Sequence, residues 1–433
     1  MEKSSQLLNQ EKFKLEPKIT ATITHKKIPL TLRSSFGTSH SSTTIRYNSF
    51  IQIIINEEGK NPIYGIGESG LPPKKPGCYL ADCDDICSYI KDYFSFLNSI
   101  LKDISSHTNP EQYEKNFTKI IKENTKLLPY YIYILFYAMD NCPGNKFDYS
   151  NAAKNCLEGA LWDLAGKITN LSLLELLKIP NKENISTFYT VTIAPDEEMI
   201  NCLNLGLKYT NYIKIKLNKD IEKAKHTLKL LDEKCKEYES NKKHKCVWSL
   251  DINSDFVDPS QFEIMLNDVL LNYKERIYMI EQAFPIKFND IKAHLDGWKK
   301  VKEIAEKNNI LIFADESAST VESIEPLKDI VSGVNIKLEK CGGIRNGLKC
   351  VEKAKELNLK IWIGSMVGSS LLMSMAATLT PLSTYSDLDG FLLVDEESQP
   401  GTGGFKWDAD NGTIILSQAP GLGVRLKTKD ELL

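Results

Sequence analysis

The chain is poor in the residues that most often announce a chemistry. It has six histidines in 433 residues. Its ten cysteines show no paired CxxC spacing; Cys83 and Cys87 are four apart with no matching pair elsewhere. That disfavours a zinc site or a disulfide framework, and reduced thiols are the expectation. Charge of one sign is also lacking: 54 basic against 57 acidic residues leave a net charge of -3, which gives no footprint for nucleic acid or an anionic membrane. The longest apolar run, Tyr130 to Met139, is far below the ~20 residues of a membrane helix. The start, Met1-Glu2-Lys3-Ser4-Ser5, has no apolar stretch of a secretory signal. Lys429-Asp430-Glu431-Leu432 spells a retention tetrapeptide, but Leu433 follows it. The expected location is cytoplasmic.

What is present begins with a rhythm. Residues 1–16 are polar and expected to fray. From Ile19 to Ile55 the chain reads as strands around a small-residue loop, Arg33 to Thr44. Tyr64-Gly65-Ile66-Gly67-Glu68 lacks the third glycine of a dinucleotide site and reads as part of a meander. Residues 84–140 look helical, and Asn151 to Lys167 reads as one helix. From about residue 187, short β-rich segments alternate with amphipathic helical ones. The strand candidates are Phe188–Ile193, Tyr212–Leu217, Val247–Asp251, Ile277–Glu281, Ile310–Asp315, Gly333–Lys337, Leu359–Gly364 and Ser383–Asp387. Eight such units predict an α/β barrel rather than an open sheet.

The charged residues that close these strands carry the chemistry. Lys216, Asp251, Glu281, Asp315 and Lys337 end five successive apolar runs, and strand C-termini form the working face of such a barrel. Three converging carboxylates without His or Cys make a hard oxygen site suited to Mg²⁺. Lys214, two residues before Lys216, shares its face of the strand and could lower a neighbouring lysine by like-charge repulsion. Lysines on two sides of an acidic cluster can take a proton from one face of a carbon acid and return it to the other, while a divalent metal stabilises the enolate.

The Lys214-x-Lys216 pair, Asp251-Ile252-Asn253, Glu281-Gln282, Ala314-Asp315-Glu316-Ser317 and Asn335-Ile336-Lys337-Leu338 resemble the enolase superfamily, in its muconate-lactonizing subgroup. The resemblance runs from about residue 18 to the end. It implies an α/β fold: an N-terminal α+β capping domain (17–150, with an insertion at about 103–147), a modified TIM barrel, (β/α)₇β (151–390), and a segment returning to the cap (391–433). It implies Asp251, Glu281 and Asp315 as Mg²⁺ ligands and Lys216 and Lys337 as the acid/base pair.

Within the subgroup the chain is most similar to dipeptide epimerases of the L-Ala-D/L-Glu type. Ser386-Asp387-Leu388-Asp389 resembles their Asp-x-Asp, which implies that Asp387 and Asp389 hold a dipeptide's ammonium group and Lys214 its carboxylate. His40 and Ser365 are further candidates for substrate contact. Two departures bear on the substrate. No arginine stands around Ser39-His40-Ser41-Ser42, where Ala-Glu-specific members have one. Glycine stands at position 368, where many relatives carry an acid after Gly-Ser-Met. The expected partner is a small-molecule dipeptide, with neither nucleic acid nor membrane, and a homo-oligomer is compatible with such barrels. The alternative is an N-acylamino-acid racemase, o-succinylbenzoate synthase or cycloisomerase of the same subgroup, for which the acid pair is less apt.

Overall fold

The computed structural model describes residues 5–37, 42–74, 80–106, 128–183, 185–241, 244–285 and 292–427. Four antiparallel strands open the chain: β1 (Gln6–Glu16), β2 (Ile19–Gly37), β3 (Ser42–Glu57) and β4 (Ile63–Ser69), in that order across the sheet. β1 lies where fraying was expected. Its polar composition hides an alternation in which Phe13 and Leu15 are buried, and Phe13 packs edge-on against Phe94 of the helix Cys83–Ser106 at 5.3 Å. The Ser/Thr-rich stretch expected as loop is strand on both sides as far as Gly37 and from Ser42. His40 lies outside the described residues.

The helix Ser150–Thr169 is the spine on which sheet and barrel meet. The glycines of β4 are explained by close approach. A Cβ at Gly65 would fall 2.1 Å from Ala160 O, and one at Gly67 would fall 2.0 Å from Cys156 O, so only glycine lets the strand lie on the helix backbone. Buried Asp163 ties three segments together. It accepts from Ile66 N at 3.0 Å, from Leu422 N at 2.9 Å and from Lys167 Nζ at 2.7 Å. The expected insertion runs partly through residues 107–127, outside the described residues. The helix Tyr130–Asp140, within the same expected insertion, buries Ile132, Leu135 and Phe136.

After β5 (Ile185–Ser186), eight parallel strands form one curved sheet: β6 (Tyr189–Val191), β7 (Tyr212–Lys216), β8 (Val247–Asp251), β9 (Ile277–Glu281), β10 (Leu311–Ala314), β11 (Gly333–Lys337), β12 (Lys360–Gly364) and β13 (Tyr385–Asp387). All eight expected strands are present, shortened at some ends. Helices fill the connections, among them Asp196–Gly206, Ile221–Asn241, Pro259–Asp268, Lys292–Lys307 and Ile344–Glu356. The ends of the sheet meet where Thr187 bridges Ser386 in parallel and Phe188 N donates to Ser386 O at 2.9 Å. The architecture is an α/β barrel under an antiparallel β cap. The chain then runs back past the cap: Asp395 N donates to Thr31 O at 2.8 Å. It adds β14 (Gly401–Gly403), β15 (Phe405–Asp408), β16 (Thr413–Leu416) and β17 (Val424–Leu426) in small sheets. No described helix is long and apolar enough to cross a membrane, and the nine described cysteines are free.

Candidate active site

Period-two alternation along β7 turns Lys214 and Lys216 inward together, while Ile213 and Ile215 pack into the surrounding core. Parallel register then sets Lys216 opposite Asp251, and Asp251 opposite Glu281. Asp315 follows β10 directly, Lys337 closes β11 and Asp387 closes β13. All of these side chains are buried. The carboxylates and ammonium groups therefore pair with one another, leaving Asp387 Oδ1 buried without a hydrogen-bond partner among the described residues.

Lys214 Nζ lies 2.6 Å from Glu281 Oε2, 2.9 Å from Asp387 Oδ2 and 3.1 Å from Asp251 Oδ2. Lys216 Nζ donates to Asp251 Oδ2 at 2.7 Å and to Asn253 Oδ1 at 3.1 Å. On the other side, Lys337 Nζ donates to Asp315 Oδ2 at 2.7 Å. The two lysines expected to act as a pair are thus held by different carboxylates, on strands separated by three others.

Burial would raise Asp251, but Lys216 and Lys214 outweigh it and hold the carboxyl below its usual range. Asp315 behaves likewise: burial raises it, and Lys337, Lys340 and Lys214 bring it below. Glu281 goes the other way. Burial dominates, the neighbouring Asp251 and Asp315 add to it, and the group is pushed up to about 7 despite Lys214. Lysine bases lowered toward neutrality were the expectation. At Lys337 burial does pull downward, but Asp315 outweighs it and the ammonium sits above its ordinary range. The same holds for Lys214, ringed by Asp387, Glu281 and Asp251.

The backbone is strained beside the acids. Asn253, Ser254 and Gln282 have φ of 49°, 59° and 39°, a region non-glycine residues seldom enter and one that clusters at functional sites. The turns do useful work. Gln282 Oε1 accepts from Asp315 N at 2.8 Å, and Asn253 Oδ1 meets Lys216.

The structure also brings in residues that the sequence reading missed. Lys340 Nζ donates to Asp315 O and Oδ1 and, at 3.0 Å, to Asn335 O. Asn335 Nδ2 donates to Glu281 Oε1. Glu339 Oε1 accepts from Met366 N at 3.0 Å and from Ser365 Oγ at 3.2 Å. Ser365 therefore reaches an acid of the barrel mouth. Asp389 does not continue the alternation of β13. It stands at the start of the helix Gly390–Leu393 and its Oδ2 accepts from Thr190 N. Burial, with Asp387 close by, pushes Asp389 up to about 7.

The donor set fits a divalent cation. Asp251, Glu281 and Asp315 offer hard oxygens at adjacent strand ends. The Lys214 ammonium, between carboxylates of Asp251, Glu281 and Asp387, shows that a positive charge is at home there. As the side chains stand, no described group of three acids is gathered closely enough to hold an ion, because the lysine heads lie among them.

Comparison with known proteins agrees with this architecture. A family described as "Enolase C-terminal domain-like" matches residues 247–430. An enolase superfamily member of Dictyostelium discoideum is 39% identical over 445 residues, spanning 96% of this chain and 99% of that one. An L-Ala-D/L-Glu epimerase of Bacteroides thetaiotaomicron is 27% identical, over 86% of this chain and 80% of its own length. Among solved structures, a dipeptide epimerase from Enterococcus faecalis complexed with Mg and the dipeptide L-Leu-L-Tyr superposes with a TM-score of 0.67 at 23% identity, covering 94% of this chain and 99% of that chain; at that identity the likeness is one of fold. With 39% identity along nearly its whole length to a member of the group, the chain belongs to the enolase superfamily.

Proposed function

We propose that the protein is a Mg²⁺-dependent dipeptide epimerase that inverts the α-carbon of the C-terminal residue. The observation that carries the reading is the placement of Lys216 and Lys337. They stand at the ends of β7 and β11, each beside its own carboxylate, so two separate bases can address one carbon from opposite sides. Lys216 or Lys337 takes the α-proton as a free amine, and the other, as an ammonium, returns a proton to the opposite face. Asp251, Glu281 and Asp315 would hold Mg²⁺, which when bound supplies positive charge to the substrate's carboxylate oxygens and competes with the lysines for the same acids. Lys214 would help to hold that carboxylate, and Asp387 and Asp389 would receive the free ammonium group. Similarity to an L-Ala-D/L-Glu epimerase along most of the chain supports this choice of substrate.

A second reading is favoured by one observation. Asp387 Oδ2 is paired with Lys214, and Asp389 Oδ2 with Thr190 N, so each acid already has one protein partner, while Asp387 Oδ1 has none among the described residues. An N-acylamino acid, which has no ammonium to bind, would use the same two lysines. Incubation with Mg²⁺ in D₂O separates the readings. α-Deuteration with inversion of L-Ala-L-Xaa dipeptides is the expected result. Exchange confined to N-acylamino acids would move the assignment to an acyl racemase.

A further inference from the structure

A cavity of about 350 Å³ opens between the cap and the barrel mouth, beside the strand that carries Lys337. Its lining is mixed: polar Asn145, Lys146, Asp148, Asn151, Ser319 and Thr320 stand beside an apolar patch and an acid. Leu71 and Met366 line it with Phe147 and Tyr149, whose rings stack at 5.1 Å and 10°. Phe147 keeps 39% of its surface exposed, an apolar face in contact with water rather than with core. Glu339 also lines the cavity, two residues past Lys337. Its Oε1 is taken by Met366 N and Ser365 Oγ. Its Oε2 is buried and has no hydrogen-bond partner among the described residues.

The lysines of the lining do not meet that oxygen. Lys340 Nζ spends its donors on Asp315 and Asn335, and Lys146 Nζ lies over the Phe147 ring, 5.0 Å from its centroid. A buried carboxylate oxygen without a donor is costly and gains from any cationic donor that reaches it. The apolar patch of Leu71, Met366, Phe147 and Tyr149 in the same lining as Glu339 suits a long side chain with a methylene stem and a charged tip, which is the construction of lysine and arginine.

Resting on the proposed epimerase reading, we infer that this cavity receives the side chain of the residue being inverted, that Glu339 binds a cationic tip, and that the preferred substrates end in lysine or arginine.

The test compares L-Ala-L-Lys with L-Ala-L-norleucine, which has a neutral stem of similar length, and with L-Ala-L-Glu, by α-deuterium exchange with Mg²⁺ in D₂O. The N-acetyl derivatives of the same three amino acids form a second series. The expected kcat/KM order is Lys, norleucine, Glu, with Lys ahead of norleucine by roughly 30-fold, the range for a hydrogen bond to a charged group. In Glu339→Gln the Lys-to-norleucine ratio is expected to fall at least tenfold. The wild-type comparison needs no variant and stands if Glu339→Gln does not fold. Norleucine or Glu equal to or better than Lys, or an unchanged ratio in Glu339→Gln, overturns the assignment of the cavity while leaving an epimerase in place. Exchange in the acetyl series alone removes the dipeptide reading, yet a Lys preference there still supports the cavity. Silence in both series, together with no calorimetric binding of L-Ala-L-Lys, overturns both.

Discussion

The two ends of the barrel are built from the same strands and could hardly differ more. At the N-terminal end Phe188, Met279, Phe313 and Trp362 form a separate apolar cluster, with Tyr212, Tyr278 and Tyr385 packed against it. Phe188 and Trp362 sit 4.6 Å apart, and Tyr278 meets Tyr385 edge-on at 4.8 Å. At the C-terminal end the inward positions are Lys216, Asp251, Glu281 and Lys337. β7 shows the change within one strand: Tyr212 joins the plug, and Lys214 and Lys216, two and four residues on, join the charges. The plug gains from buried area and dispersion, which point in no direction. The mouth holds charges away from water, which is stable only while each is matched. One end supplies a rigid floor, so the other can keep groups ready to exchange partners.

The comparison is broken most severely at the mouth. Lys216→Ala or Lys337→Ala is expected to lower epimerisation by roughly 10³-fold, the span of a lost general acid/base. Inversion followed by NMR, with circular dichroism as the control for folding, checks this. A variant retaining a tenth of wild-type inversion would remove that lysine from the pair. At the plug, Trp362→Ala is expected to cost about 3–5 kcal/mol in urea unfolding, since Trp362 is fully buried and packs on Phe188, Phe313 and Tyr385. A loss below about 1 kcal/mol would mean that the floor is not a packed core.

A third group tests whether acid sensitivity belongs to the mouth alone. His25, on β2 of the cap, is buried; its Nε2 meets Ser49 Oγ at 3.2 Å. Burial lowers it from 6.5 to about 4. Between those values the unfolded chain binds a proton that the folded chain refuses, so stability falls as pH falls through this window. The loss is fully developed below pH 4 and amounts to roughly 3 kcal/mol. His25→Gln should flatten that part of the profile, measured as urea midpoint against pH. An unchanged slope would return all of the acid sensitivity to other groups, those of the mouth included.

Much of this was legible because the barrel writes its plan in short units. β-rich runs at regular spacing marked the strands, and a charge closing five successive runs marked the mouth. Lys214 and Lys216 could be set on one face because a strand's period is two. What was hidden has physical reasons. Lys340 and Glu339 fall in the short helix Leu338–Cys341 after β11, where neither strand nor helix periodicity says which way a side chain turns. β1 escaped notice because Glu11, Lys12 and Lys14 around its buried Phe13 and Leu15 make it look like a solvated tail. The Gly65-Ile66-Gly67 pair carried no signal of what it approaches, since the partner backbone at Cys156 and Ala160 is far along the chain. Asp389 was paired with Asp387 by resemblance to an Asp-x-Asp, but β13 ends at Asp387 and Asp389 stands at the start of the helix that follows.

The smallest expected effect sharpens the comparison most finely. Tyr212 is half-buried and contributes its ring to the plug, 5.3 Å from Phe188 and 5.5 Å from Tyr385. If the floor works by area alone, Tyr212→Phe keeps every ring contact and should stay within about 0.5 kcal/mol of wild type, with kcat/KM unaltered. Lys214 stands two residues further along the same face, so any polar coupling between plug and mouth would run through this strand first. A drop above about 1 kcal/mol, or a shift in the pH dependence of turnover, would show that the hydroxyl takes part in the charge network. The sharp division between an apolar floor and a charged mouth would then have to be given up.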